Sequence, residues 1–435
     1  MPTSNRDAAD RWDELVALTT SCFTAPSLAI FTTLLTGWVL APGRRTVTAM
    51  ITAGDPEGRR AHDAYHRFFR SGRWSAAAMW KVLVVHMVAA LCPSGAVVLD
   101  VDDTLYNKSG RRIDGAGSFR DAVRSTRNRV VYATGLNLVV VTLRVRPPWG
   151  AMPVGVPVGV RLHRKNGPKT TELAADIIVE LAAWLPERHF CLCGDGAYAC
   201  LAGRALPRTT VTSRMRRDAA LYEPAPARSG KRGRPRTRGA RLATPTQMAA
   251  GLIDNDFTRA DLDWRGRPKQ LLVWSTPVLW YSIDHNHQML LVIVRDPAGI
   301  MHDDFFFTTD LDANPAWVAS LYAGRWSIEC VNREVKQILG AENPQCWKHL
   351  GPERAASMSL WLYAAIWAWY IPTHRAARTW IPRPWYTKKA TPSFLDATAA
   401  LRRTLWSNRI TTMSSSEPVN QKIVDGMIDI LATAA

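Results

Sequence analysis

Acidic residues are scarce in this chain relative to basic ones. Of its 435 residues, 37 are Asp or Glu and 55 are Lys or Arg, which gives a formal net charge of +18. So large a positive charge favours a polyanionic partner, and nucleic acid is the commonest of these. Binding to an acidic membrane surface would need a basic amphipathic helix or a lipidation motif, and the sequence shows neither. We therefore expect a nucleic acid as the partner and no membrane contact.

Cysteines and long apolar segments are also few. Seven cysteines without a repeating spacing argue against a disulfide framework and favour a reducing compartment. The longest apolar runs, such as 130–143, are shorter than the roughly 20 residues that a membrane-spanning helix needs. The beginning of the sequence has no basic stretch followed by an apolar one, so we expect no secretory leader. These features predict a cytoplasmic protein.

The apolar residues, 47% of the chain with Tyr and Cys included, are enough for a large core, and their spacing predicts an α/β fold. Residues 1–92 show apolar helical segments separated by Pro and Gly. The spacing of apolar residues then changes to that of strands. Three strands are predicted at 96–99, 129–144 and 154–162, followed by a helix at 170–185 and a strand at 190–193. This order is that of the first half of an RNase H-like fold. An acid cluster ends the first of these strands.

The second half begins with a strongly basic segment. Residues 204–241 contain 12 Lys or Arg and 2 Asp or Glu, together with many Pro and Gly, which predicts an exposed loop. Strand-like segments are predicted at 270–278, 279–283, 289–294 and 304–308. Two helices are predicted after them, at 317–339 and 353–370.

Acidic residues at strand ends form the first candidate site. Asp102 and Asp103 end the first predicted strand, and Asp195 follows the last one. Carboxylates at the ends of adjacent buried strands can share divalent metal ions, which clamp the attacking and leaving oxygens of a phosphodiester. Glu329, on a predicted helix, would supply the third carboxylate. The alternative is that each acid is an ordinary solvated loop residue.

A second candidate lies around Glu329. Tyr322, Arg325, Glu329 and Lys336 follow one another at intervals of 3, 4 and 7 residues, so an unbroken helix would present all four on one face. A carboxylate between two cations and a phenol suits a site that holds a metal ion and neutralises phosphates. A solvated charged helix face is the alternative.

These four residues resemble the YREK signature of bacterial insertion-sequence transposases of the DDE type, which are cut-and-paste DNA enzymes with an RNase H-like core. The resemblance implies that Asp103, Asp195 and Glu329 are catalytic and hold two Mg²⁺ ions, for which Mn²⁺ can substitute. Asp102 remains open as the alternative to Asp103. The resemblance also implies that the other signature residues bind DNA; these are Tyr322, Arg325 and Lys336.

For the whole chain, the resemblance implies an RNase H-like mixed-sheet core interrupted by a mostly β insertion. The predicted regions begin with a helical DNA-end-binding domain at 1–92 and the first part of the core at 93–203. A basic loop with the insertion follows at 204–315. The second part of the core with the Glu helix is predicted at 316–375, and a helical C-terminal region at 376–435. The implied activity is hydrolysis at transposon inverted-repeat ends followed by 3′-OH strand transfer into target DNA. A homodimer on paired ends is the implied assembly, and association with the bacterial nucleoid is the implied location.

A short basic motif lies inside the basic segment. Arg232, Arg234 and Arg236 stand in the sequence Arg-Gly-Arg-Pro-Arg, which is similar to the core of an AT-hook. Such a segment inserts Arg into the narrow minor groove of A·T-rich DNA. The alternative is a solvated basic linker, and in either case we expect contacts with DNA phosphates.

Two other functions compete with this interpretation. The sequence from Asp100 to Thr104 matches the DxDxT motif of haloacid-dehalogenase-like phosphatases, in which Asp100 would attack phosphate and Asp102 would act as acid and base. That function leaves the Tyr322–Lys336 signature and the positive charge unexplained. The second alternative is a non-catalytic DNA-binding relic of a transposase, although all three acids are present.

Overall fold

A computed structural model describes residues 5–110, 112–121, 123–126, 128–150, 152–227, 236–374, 380, 385–413 and 421–433. Within these ranges the chain forms a ten-stranded sheet with α-helices around it. This mixed α/β architecture confirms the predicted fold class.

The N-terminal part is helical, as predicted. Its helices are α1 (Asn5–Ala17), α2 (Ala25–Leu40), α3 (Val47–Gly54), α4 (His62–Ser71) and α5 (Ala76–Leu91). Ser75 begins α5 as a cap, because its hydroxyl accepts a hydrogen bond from the amide of Ala78 at 3.2 Å. Helices α1, α4 and α5 pack with the long helix α10 (Gly351–Thr373), of which nearly every residue is buried, and Phe31 of α2 contacts the ring of Trp361 in α10. The N-terminal helices therefore share the larger hydrophobic core with the central strands of the sheet.

The centre of the sheet has the strand order of an RNase H-like core. Its strands are β1 (Val97–Asn107), β2 (Gly117–Arg120), β3 (Tyr132–Val145), β4 (Val154–His163), β5 (Phe190–Gly194) and β6 (Thr209–Arg214). Strand β3 pairs antiparallel with β1 and with β4, whereas β5 and β6 continue the sheet in parallel on the other side of β1. Helix α6 (Thr170–Trp184) makes the crossover that two parallel strands require.

The first strand is longer than predicted, and this corrects the position of the acid cluster. The expected strand ended at residue 99, but β1 continues to Asn107, which pairs with Gly135 of β3. Asp102 and Asp103 therefore lie within the strand and not at its end. Acidic residues have low strand propensity, and the ladder with β3 overrides it here.

The insertion adds strands to the same sheet. Strands β7 (Thr258–Trp264), β8 (Arg267–Val278), β9 (Met289–Arg295) and β10 (Asp304–Thr308) follow β6 in the spatial order β6-β10-β9-β8-β7. The prediction of a loop throughout 204–241 was wrong at β6, which pairs with β5 on one side and β10 on the other. Strand β7 was not predicted. The segment 279–283 is not a strand, since Leu279 forms only an isolated bridge with Tyr222 and a turn occupies 281–283.

The predicted helix at 317–339 is divided. Helix α8 (Pro315–Gly324) ends just before Arg325, and α9 (Trp326–Gln337) begins just after it. The amide of Arg325 donates to the carbonyl of Tyr322 at 3.1 Å, a bond across three residues that tightens the turn. The remaining helices are α7 (Pro245–Gly251), α11 (Phe394–Met413) and α12 (Gln421–Thr433).

No single helix in the described ranges is long and apolar enough to cross a membrane. Helices α4 and α5 pass such a test only as a pair, and they are bent by 85° relative to each other. Their apolar residues, such as Phe69 and Leu83, are buried in the protein core.

Candidate active site

Two neighbouring aspartates of β1 point to opposite sides of the sheet, because side chains alternate along a strand. Asp102 lies toward Arg325, with 3.8 Å between its Oδ2 and Nη1 of the guanidinium. Asp103 lies toward Tyr198, whose hydroxyl donates to its Oδ1 at 3.4 Å. The two carboxylates thus have different neighbours although they are adjacent in sequence.

Asp195 follows the adjacent parallel strand β5, as the sequence predicts. Its Oδ1 accepts a hydrogen bond from the amide of Ala197 at 2.9 Å and caps the short 3-10 helix that follows. Burial raises the pKa of the Asp102 carboxyl to about 7, with Asp103 and Asp195 adding to the rise and Arg325 opposing it. Burial also raises the pKa of Asp103, and the charge of Asp195 adds to it. Asp195 therefore lies close enough to repel both aspartates of β1.

Glu329 is connected to Asp102 of β1 through Arg325, which contacts both carboxylates. The guanidinium Nη2 donates to Oε1 of Glu329 at 2.7 Å, and Nη1 faces Asp102. The side chains are 14% exposed for Arg325, 22% for Asp102 and 32% for Glu329. The Nε atom of Arg325 is buried and has no hydrogen-bond partner in the described part of the chain. One arginine thus joins the carboxylate of the strand to the carboxylate of the helix and keeps an unused donor.

The chemistry of this donor set fits a divalent cation. Mg²⁺ binds carboxylate oxygens, and the mutual repulsion of Asp102, Asp103 and Asp195 is what a cation would offset. The described residues do not contain a group of three or more His, Cys, Asp or Glu side chains that converge as ligands of one ion. The carboxylate of Glu329 is instead held by Arg325.

The remaining signature residues lie around this cluster. The ring of Tyr322 is half-buried and stacks on Phe306 with 4.4 Å between centroids. The ammonium of Lys336 lies 5.8 Å from the centre of the Tyr106 ring, and burial lowers the pKa of this lysine. Because α8 and α9 meet at a break, the four signature residues are not on one face of a continuous helix.

The AT-hook-like motif is only partly described. Arg236 is exposed on the surface, whereas Arg232 and Arg234 lie outside the described residues. The structure therefore leaves the predicted DNA contact of this motif untested.

Asp100 is not available as a nucleophile. Its side chain is fully buried, and its carboxylate pairs with Arg144 and accepts from the hydroxyl of Ser327 at 3.0 Å. A phosphatase of the DxDxT type needs this first aspartate free to attack phosphate. The alternative phosphatase function is therefore disfavoured. Neither Arg144 nor Ser327 stood out in the sequence, because Arg144 belongs to no motif and Ser327 is not one of the four signature residues of its segment.

Ionisation of Asp102 should destabilise the metal-free protein as the pH rises. The pKa of this carboxyl is near 3.8 when unperturbed and about 7 in the folded chain, so its contribution to stability is complete below pH 4 and is lost between about pH 4 and 7. We expect Asp102→Asn to remove this part of the pH dependence. Melting temperatures in EDTA at pH 5 to 8 should show the wild type falling by about 2–4 °C relative to the variant. Parallel curves would contradict the raised pKa.

Comparison with known proteins gives one family match. The family model described as DDE superfamily endonuclease matches residues 20–269. The matched segment includes Asp102, Asp103 and Asp195 and ends before Glu329. No curated protein matches the chain. The third carboxylate therefore depends on the geometry around Arg325 and not on the family match.

Proposed function

We propose a function from the premise that this chain belongs to the DDE superfamily endonucleases, whose family model matches more than half of it. Membership makes the chain an enzyme of a family that acts on DNA. The finer proposal is a DNA transposase, which hydrolyses phosphodiester bonds at the ends of its element and transfers the freed 3′-OH into target DNA. Its net charge of +18 suits binding to DNA ends and target DNA and residence on the nucleoid.

One observation carries this proposal: carboxylates from distant segments meet at one guanidinium. Asp102 of β1 and Glu329 of α9 both face Arg325, and Asp195 is near enough to raise the pKa of Asp102. We propose Asp102, Asp195 and Glu329 as the residues that hold Mg²⁺ or Mn²⁺. The sequence favoured Asp103, but Asp102 is the aspartate on the side of Glu329.

In this mechanism the chain supplies positioning and charge. A bound divalent cation provides a Lewis acid for the phosphoryl oxygens. The guanidinium of Arg325 lies between Asp102 and Glu329, where its positive charge would neutralise charge that develops on the phosphate. Lys336 and Tyr322 orient the terminal nucleotide, so that attack is in line with the leaving oxygen.

Arg325→Ala should weaken end complexes and slow cleavage together. We expect about a tenfold loss of affinity for end DNA and about a hundredfold loss of rate, because one charge-assisted donor set is removed. Arg325→Lys keeps the charge but not the forked geometry and should recover affinity more than rate. Arg333→Ala, at an exposed position of the same helix α9, is the matched control. Unchanged affinity and rate in Arg325→Ala would remove this residue from the site.

The decisive experiment is cleavage of DNA that carries the sequences flanking the gene, with Mg²⁺ or EDTA. A transposase should cut at the element termini, require the metal ion and join the new 3′ ends to target DNA. Cleavage without terminal preference or joining would indicate a general nuclease. Metal-independent binding without cleavage would indicate a DNA-binding relic.

We propose that the active assembly is a homodimer on two paired ends. Analytical ultracentrifugation with duplexes of the terminal sequence should detect a complex of two chains and two duplexes. A complex of one chain with one duplex at all protein concentrations would contradict it.

A further inference from the structure

A buried ion pair lies under the break between α8 and α9. Nε of Arg144 donates to Oδ2 of Asp100 at 3.0 Å, and Nη2 contacts the other carboxylate oxygen. The Arg144 side chain is 9% exposed and that of Asp100 is fully buried. Removing two charges from water costs a desolvation free energy that offsets much of their mutual attraction. A buried ion pair is therefore weak evidence for a purely stabilising role. Its other contacts indicate a more specific one.

The pair reaches both sides of the helix break. In a continuous helix the carbonyl of Leu321 would accept from the amide of Arg325, but that amide donates to Tyr322 instead. The freed carbonyl accepts from Nη1 of Arg144 at 2.6 Å. Arg144 therefore replaces the backbone donor that is lost at the break.

Asp100 contacts the helix on the far side of the break. The hydroxyl of Ser327, in the first turn of α9, donates to its Oδ2 at 3.0 Å. Asp100 is two residues before Asp102 on the same side of β1. The contact therefore joins the strand that carries Asp102 to the helix that carries Glu329.

Gly324 leaves the space that the guanidinium occupies. A Cβ at this position would lie 2.6 Å from Nη1 of Arg144 and 3.1 Å from its Cζ. Glycine is a poor helix former compared with alanine, so a helical glycine at this point indicates a close approach. These contacts thus explain why Gly and Ser stand at positions 324 and 327 of the signature segment, although neither is a candidate ligand or DNA contact.

We propose that Arg144, Asp100, Ser327 and Gly324 form a positioning clamp, which fixes the α8–α9 break so that Arg325 and Glu329 face Asp102. None of the four is proposed to touch DNA or a cation, so they are positioning residues. The proposal rests on the proposed function, since the clamp matters only if Asp102 and Glu329 act together. A displacement of about 1 Å in such a site can cost a hundredfold in rate.

The test is a double-mutant cycle with Gly324→Ala and Arg144→Met. Gly324→Ala should slow Mg²⁺-dependent cleavage of end DNA by about 10–100-fold and weaken Mn²⁺ binding, measured by calorimetry, by about tenfold. Affinity for end DNA should change by less than about threefold, because no residue of the clamp is proposed to touch DNA. The melting temperature should fall by no more than about 5 °C, since the added methyl group strains a buried ion pair. In the Arg144→Met background the second change should add nothing, since the displaced guanidinium is gone.

The matched control is Gly426→Ala, a helical glycine of α12 with no atom within 4 Å of the added Cβ. It should behave as wild type in every measurement. Wild-type cleavage and Mn²⁺ affinity in Gly324→Ala would overturn the clamp, as would additive losses in the double variant. A melting temperature of Gly324→Ala below the assay temperature would indicate a merely structural role. If the wild type itself neither cleaves end DNA nor binds Mn²⁺, the proposed function fails and the clamp fails with it.

Discussion

Glu329→Gln should abolish metal-dependent cleavage of end DNA and leave DNA binding intact. The substitution keeps the size of the side chain and removes the charge that pairs with Arg325 at 2.7 Å. A lost cation ligand removes several kcal/mol of transition-state stabilisation, so we expect the rate to fall by at least about a thousandfold. Binding should persist, because the loss of a negative charge does not weaken the attraction of this basic chain to phosphates. Gel-shift and cleavage assays on the same duplex measure both effects.

Glu334→Gln provides the matched control for this prediction. Glu334 lies on the same helix α9, but its carboxylate accepts from the hydroxyl of Tyr363 at 2.7 Å and not from Arg325. A glutamine can still accept that bond, so cleavage should remain near the wild-type rate. If Glu329→Gln cleaves as fast as Glu334→Gln, then Glu329 is not a ligand and the proposed site is wrong.

Asp102→Asn and Asp103→Asn should differ sharply in their effect on cleavage. Asp102 shares Arg325 with Glu329, whereas Asp103 accepts from Tyr198. We expect Asp102→Asn to lose at least about a thousandfold in rate, since it removes a proposed cation ligand. Asp103→Asn should lose about tenfold or less, since it removes only a charge near Asp195. The comparison requires equal folding, which circular dichroism and melting curves can verify.

This pair of variants decides a question that the sequence left open. Asparagine preserves the shape of either aspartate, so neither variant needs a rearrangement of β1. Calorimetric titration with Mn²⁺ gives a second measurement, in which Asp102→Asn should bind weakly and Asp103→Asn nearly as the wild type does. The opposite order would assign the ligand to Asp103, as the sequence prediction had it, and would place Asp102 in a supporting role.

Local sequence patterns predicted much of the fold but missed elements that depend on distant partners. The alternation in β4 and the long apolar run of α5 identify those elements without reference to the rest of the chain. The second half of β1 contains acids and polar residues of low strand propensity, and only pairing with β3 makes it a strand. Strand β6 lies in a segment so basic that it resembles a loop, and its two neighbours in the sheet override that composition.

The candidate site was predicted in its components and not in its arrangement. The spacing of Tyr322, Arg325, Glu329 and Lys336 is visible in the sequence. The break at Arg325 is not, because the donor that makes it possible comes from Arg144 on a distant strand. An arginine outside any motif gives no signal of this kind.

The sequence by itself determined the positive charge, the carboxylates at the candidate site and elements such as β4 and α5, because these follow from composition and short-range patterns. Only the tertiary structure decided which aspartates remain available. Asp100 and Asp102 have the same chemistry and lie on the same side of one strand. Asp100 is paired with Arg144, however, whereas Asp102 is linked to Glu329 through Arg325. The physical reason is that a carboxylate's role depends on the charges that face it, and here those charges come from residues far away in the chain.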